Sequence, residues 1–328
     1  MSTKALETYL KPIQKLLDDQ DINEIIINEP GTVWVEKKSA FSKHLYPELT
    51  FQKLLSTATL IAEFTHQEIS QERPLLSATL PEGYRVQVVI PPACGPNKFV
   101  MSIRRQTLSL MSFEDYKKTG VFNHVNENHI DDSEVKKELK ELYKAGNYDD
   151  FTEAFIRNKI TFMVSGGTNT GKTYFLNQCI GLMNKDERLV TIEDALELIT
   201  RQENVSRLFY SRGNQGISAA GPQELLASAF RLRPDRIIFG ELRGVEALDF
   251  LQGANSGHEG SGTSVHADSP SLAYNKVALM IMQSGLRLGY EEVLKYIKSV
   301  VPIVVQKSRR ATGERYVSGI YYHGMDQE

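Results

Sequence analysis

Only two of the 328 residues are cysteine, Cys94 and Cys179. A single chain therefore cannot build a four-cysteine zinc site. It also lacks the cysteine pairs of a disulfide framework, so a reducing compartment is the natural reading. Long apolar runs are absent too. No stretch reaches the roughly 18 residues that a membrane-spanning helix needs. Met1 to Leu10, with Lys4 and Glu7, lacks the apolar centre of a signal peptide. A cytoplasmic location is the expectation. Basic residues are not in excess either: 38 Lys and Arg against 41 Asp and Glu leave a net charge of −3. That removes any global electrostatic argument for nucleic-acid binding. No internal repeat is visible. Apolar residues are plentiful at 41%, enough for the core of one large or two ordinary domains.

Residues 1–106 read as a smaller α+β domain. Leu6, Tyr9, Leu10, Ile13 and Leu17 recur at helical spacing, with Ser2 or Thr3 placed to cap. Pro12 is expected to kink or shorten that helix. The stripe is read as facing protein rather than lipid: only Lys4, Lys11 and Lys15 are available for anionic head groups, and Glu7 and Asp18 offset them. Apolar runs at 25–28 and 33–36 flank Glu29-Pro30-Gly31 and predict a hairpin. Leu54, Leu55, Ala58, Ile61 and Phe64 predict a second helix starting near Thr50. Strands are expected at 76–80, 84–90 and 98–104, turned at Pro81-Glu82-Gly83 and Pro91-Pro92. Residues 107–148 are too long a connection for a compact domain and are assigned to an interdomain linker, ending in a charged helix with Val135, Leu139, Leu142 and Tyr143 on one stripe. Over 149–328 strands and helices alternate. That pattern predicts an α/β domain with a mainly parallel sheet covered on both faces.

The most specific motif is Gly166-Gly167-Thr168-Asn169-Thr170-Gly171-Lys172-Thr173, a Walker A sequence. Glycines let the backbone wrap an anion so that successive amides point inward. The helix that follows from Gly171 adds its positive end, and Tyr174, next after the motif, is expected among the nucleotide-binding residues. The expected context is present, with an apolar strand at 160–165 before the loop and an apolar helix face after it. The loop predicts ATP binding: Lys172 on the β and γ phosphates, Thr173 on Mg²⁺.

Phosphoryl transfer to water also needs a metal-holding acid and a group that orients the water. Acids at the C-terminal ends of central strands are placed for this. Glu193 and Asp194 end one such strand, and Glu241 follows another after Gly240. Either carboxylate alone would equally suit a helix cap or a solvated strand end; two of them after a Walker A loop favour catalysis. Farther on, Gly257 to Ala267 is Gly-rich with a histidine at each end of a short strand, which places His266 at the same sheet edge. The plain alternative there is an imidazole satisfying local carbonyls.

In this order the motifs resemble the Walker A, Asp box, Walker B and His box of the type II/IV secretion ATPase superfamily: Gly166–Thr173, Thr191-Ile192-Glu193-Asp194, Leu232 to Arg243, and Gly257–Ala267. Arg231 to Ile237 and Ser256-Gly257-His258-Glu259-Gly260-Ser261 look most like the VirB-type traffic ATPases of type IV secretion. The resemblance covers the C-terminal half closely. It implies a RecA-like P-loop domain, a homohexameric ring peripheral to a bacterial inner membrane, channel and inner-membrane subunits as partners, and nucleic acid only as transported substrate. It implies that Glu193 activates water while Glu241 supports metal or water, and these two roles stand open to reversal. It also implies that His266 contacts the γ-phosphate and that N-terminal arginines reach the nucleotide. Arg85 and Arg104 are the candidates, each on the strand face opposite the more apolar one, and closure of the N-terminal domain is the expected way to bring them in. Pilus-retraction ATPases of similar length and DNA-translocating ring motors are the alternatives.

Overall fold

The computed structural model describes residues 3–80, 82–105, 111–123, 125, 128–214 and 216–326. Ser2, Pro81 and the expected boundary at 106–107 lie outside them. The chain opens with Thr3–Leu10 (α1) and Gln14–Asp18 (α2), joined by a tight turn at Lys11–Ile13 where Pro12 offers no N–H to an α-helical ladder. Leu6, Leu10, Ile13 and Leu17 are buried against Leu54, Ala58 and Ile61 of Phe51–Phe64 (α3), so these four face protein, while Tyr9 of the same expected stripe is exposed. Thr50 caps α3, its hydroxyl accepting from the Lys53 amide.

Among the described residues the strands form two sheets. The first contains Ile22–Glu29 (β1), Thr32–Lys37 (β2), Ala40–Leu45 (β3), Leu75–Thr79 (β4), Arg85–Val89 (β5) and Val100–Arg104 (β6), in the order β3-β2-β1-β6-β5-β4. The expected hairpin turns at Gly31, whose φ of +79° suits a residue without Cβ. β3 has no sequence signal: it is an exposed edge strand without alternating apolar residues.

Three helices lead to the second sheet: Phe113–Lys118 (α4), Asn128–Lys144 (α5) and Tyr148–Arg157 (α6). Its strands alternate with helices as follows: Phe162–Gly166 (β7), Lys172–Leu182 (α7), Leu189–Glu193 (β8), Val205–Phe209 (β9), Pro222–Arg231 (α8), Arg236–Phe239 (β10), Glu246–Ala254 (α9), Gly262–Val265 (β11), Pro270–Met282 (α10), Tyr290–Val300 (α11), Ile303–Arg309 (β12) and Arg315–Tyr322 (β13). The order is β13-β12-β7-β11-β10-β8-β9, parallel except for the terminal β12–β13 hairpin. Residues alternate between two cores. Ile237 and Phe239 face α8 to α11, while Ile238 faces α6 and α7. Leu139 of α5 is buried in that second core, and the Tyr143 hydroxyl donates to the Ile320 carbonyl at 2.7 Å. The last part of the stretch expected as linker thus lies against the C-terminal sheet.

The two sheets share a buried and hydrogen-bonded junction. Val89, Ala93, Cys94 and Val100 belong to the same core as Val190, Leu208 and Leu225. Gln87 donates to Ser228 at 3.2 Å, and Arg233 donates to Glu36 at 3.0 Å. At the centre Arg188 is 0% exposed and donates to Asn28 at 2.9 Å, Ser206 at 2.9 Å and the Leu232 carbonyl at 2.8 Å. Burial pulls its pKa down to about 9. Taking away its guanidinium strips the Asn28, Ser206 and Leu232 oxygens of a donor, and a buried acceptor left unpaired costs about 1–3 kcal/mol. Arg188→Met should therefore lower stability by about 1–3 kcal/mol, seen as a lower urea midpoint at unchanged slope. An unchanged midpoint would remove this junction from the account of stability.

Candidate active site

β7 delivers the chain to a loop over residues 166–171, and α7 begins at Lys172. Two left-handed residues make the wrap: Asn169 at φ +61° and Gly171 at φ +86°. Gly167 accepts from the Thr170 hydroxyl at 2.9 Å, which holds the loop closed. Lys172 donates to the Gly166 and Gly167 carbonyls, each at 3.0 Å. Burial lowers its pKa, with the Glu241 charge opposing. Tyr174 is 70% exposed on the outer face of α7.

Three of the expected catalytic groups meet here. His266 ring nitrogens lie 3.4 and 3.5 Å from the Lys172 ammonium, and its Nε2 is 3.4 Å from a Glu241 oxygen. β10 and β11 are parallel neighbours, so residues just past their C-terminal ends arrive at one edge. Glu241 also pairs with Arg243. Burial, then the Lys172 charge, pulls the His266 pKa below its ordinary 6.5. The imidazole is therefore neutral at pH 7 and can donate one N–H without adding positive charge. Lys276 donates to the His266 carbonyl at 2.8 Å and fixes the backbone behind it.

Glu193 has a different environment. It is 2% exposed, and its carboxylate accepts from the Thr191 hydroxyl at 2.9 Å and the amides of Glu197 and Leu198 at 2.9 and 2.7 Å. Burial raises its pKa while these bonds oppose the rise. Those contacts shape the following turn, and that turn brings forward an acid that sequence reasoning missed. Glu197 accepts from the Thr173 hydroxyl at 3.1 Å, and its backbone carbonyl accepts from Asn177 at 3.0 Å. The only prior signal was that Thr173 and Asn177, four residues apart on α7, share a helix face that needs a partner.

These groups suit Mg²⁺ in the way nucleotide sites do. Among the described residues no three acidic, His or Cys side chains converge on a metal position. A Mg²⁺ ion keeps several waters and takes one or two protein oxygens plus phosphates, and the Thr173 hydroxyl beside Glu197, with Glu241 across the cradle, supplies that kind of donor.

Arg85 and Arg104 lie elsewhere. They are cross-strand partners on β5 and β6 and line a cavity of about 730 Å³ with Glu24, Gln87, Arg231 and Arg233. Arg231 ends α8 and Arg233 precedes β10, so this cavity opens at the N-terminal edge of the second sheet. From Arg188 at that edge to Glu193 at the other, β8 spans about 16 Å at ~3.3 Å per residue. The arginines do not reach the phosphate loop of their own chain. His258 belongs to the N-terminal edge as well, stacked on Phe230 and bonded to the Pro234 carbonyl at 3.0 Å.

Residues 7–313 match the family described as type II/IV secretion system protein. The chain belongs to that family. It is 37% identical over 329 aligned positions to the type IV secretion system protein VirB11 of Brucella suis, covering 97% of this chain and 90% of that one. Against the type IV secretion system protein PtlH of Bordetella pertussis it is 36% identical, covering 97% and 95%. The crystal structure of the Brucella suis VirB11 ATPase in complex with sulphate superposes with a TM-score of 0.87 at 35% identity, covering 97% of both chains. The fold of this family member is thus the RecA-like P-loop ATPase fold with a smaller α+β domain ahead of it. No helix among the described residues is long and apolar enough to cross a membrane.

Proposed function

We propose that the protein hydrolyses ATP with Mg²⁺ to power type IV secretion, as a homohexameric ring bound peripherally at the cytoplasmic face of a bacterial inner membrane. The observation that carries this reading is the convergence of Lys172, Glu241 and His266 beside Thr173, in a chain whose relatives of that description align over nearly its whole length. Channel and inner-membrane subunits of the same secretion apparatus are the expected partners, with any nucleic acid present as cargo.

In this reading Gly166 to Thr173 cradle the phosphates, and Lys172 leaves its loop carbonyls for the β and γ oxygens. His266, neutral, donates to the terminal phosphate. Glu241 stands at the cradle itself, its two oxygens shared with Arg243 and His266, whereas the Glu193 oxygens are taken up by Thr191 and the backbone amides of the next turn. Glu241 therefore orients the water, and Glu193 positions the turn that carries Glu197. That reverses the order of preference that the sequence alone suggested.

Glu197→Gln removes the charge next to Thr173 but keeps the shape. The Mg²⁺ concentration for half-maximal turnover should rise about 10-fold or more, while nucleotide affinity measured without metal stays near wild type. An unaltered Mg²⁺ dependence would leave Glu197 with a structural role only.

A further inference from the structure

The terminal hairpin brings three cations to one flank of the phosphate loop. β12 runs parallel to β7 with Lys307 level with Gly166. β13 returns with Arg315 opposite Arg309 and Val317 opposite Lys307. Cross-strand partners share a sheet face and residues two apart along a strand do too. Lys307, Arg309 and Arg315 therefore lie on the face where Val305 packs with Leu176 of α7. Lys307 is 8% exposed. Among the described residues no carboxylate pairs with it, and its ammonium stands 5.6 Å from the centre of the Phe175 ring. Burial lowers its pKa. A cation buried without an acceptor is costly, and an electron-rich ligand beside it offsets that cost. Arg315 reaches over the loop itself, donating to the Asn169 side chain. Its Cδ would lie 3.2 Å from a Cβ built on Gly171, so it walls the loop on this side.

The opposite flank is taken by reaction chemistry. Thr173 faces Glu197 there, and Glu241 and His266 arrive from β10 and β11. A nucleotide with its terminal phosphate among those groups has to leave the cradle toward β12. We propose that Lys307 and Arg315, with the Phe175 ring, seat the nucleoside half of the nucleotide. Ribose hydroxyls and base-ring nitrogens accept from the two cations, and the base covers the Phe175 ring. This rests on reading the loop as a nucleotide cradle.

ADP and inorganic pyrophosphate share a diphosphate and differ in the nucleoside, so titration calorimetry of the full chain with each probe tests the assignment. Lys307→Met keeps the side-chain length and removes the charge, and Arg315→Ala alters an exposed position. Each should weaken ADP binding by about 10-fold or more, the usual scale for a charge-assisted hydrogen bond. Pyrophosphate affinity should change less than about threefold at physiological salt. Equal losses for both probes would overturn the proposal, because the cations would then serve the phosphates or the loop shape. Unchanged ADP affinity would overturn it as well. A wild-type chain that binds neither probe would instead bring down the cradle itself.

Discussion

Lys172→Ala should hydrolyse ATP no faster than background while melting like the wild type. The ammonium now satisfies two loop carbonyls at 3.0 Å each and sits within 3.5 Å of His266. It can swing from those acceptors to phosphate oxygens without disturbing a strand or helix. Its loss removes a cation inside the cradle, where water is displaced and each charge counts heavily. A fall of at least ~10²–10³-fold in kcat is the expectation. Burial lowers the pKa of this lysine in the folded chain, so its charge does not stabilise the fold, and alanine should not lower the melting temperature. Wild-type turnover in a folded variant would end the ATPase reading.

Motifs that depend on local backbone chemistry were legible in the sequence. The loop at 166–173 needs glycine where φ is positive, and Gly171 shows why. Glu241 and His266 were legible because parallel strands deliver their C-terminal neighbours to one edge. The first hairpin, the capped helix after Thr50 and the kink at Pro12 were equally local. Elsewhere the signal was weaker. β9 alternates in burial but follows a polar turn, and β3 is an exposed edge. Glu197 has no pattern of its own, since a buried Glu193 four residues earlier places it. The junction was hidden because Asn28 meets Arg188 and Ser206 across more than 150 positions of sequence.

That junction changes the expected mechanism. Closure of the N-terminal domain over its own phosphate loop would expose Val89, Ala93, Cys94 and Val100 and strip Arg188 and Arg233 of their partners. Several buried contacts of that kind together exceed the few kcal/mol by which two functional states usually differ. Arg85 and Arg104 nevertheless stand exposed as a cross-strand pair in an open cavity, with Glu24 across the strand from Arg104 as the nearby carboxylate. In a head-to-tail ring one subunit's surface meets a different surface of the next. The arginines of one copy would then complete the phosphate loop of its neighbour, which ties hydrolysis to subunit motion. Such arginines are worth ~10³–10⁵ in rate, so Arg104→Ala should lose turnover on that scale. Nucleotide affinity should fall less than in Lys172→Ala, and Arg85→Ala should behave similarly.

Mixing the two defective chains tests this directly. An Arg104→Ala subunit keeps an intact phosphate loop, and a Lys172→Ala subunit keeps an intact arginine. If the site is shared between neighbours, co-assembled rings regain function wherever the two meet in the right order. With random assembly that is about a quarter of the sites, so turnover should rise far above either variant alone and approach that fraction of wild type. A mixture no more active than the sum of its separate components, in rings shown to contain both chains, would contradict the shared site.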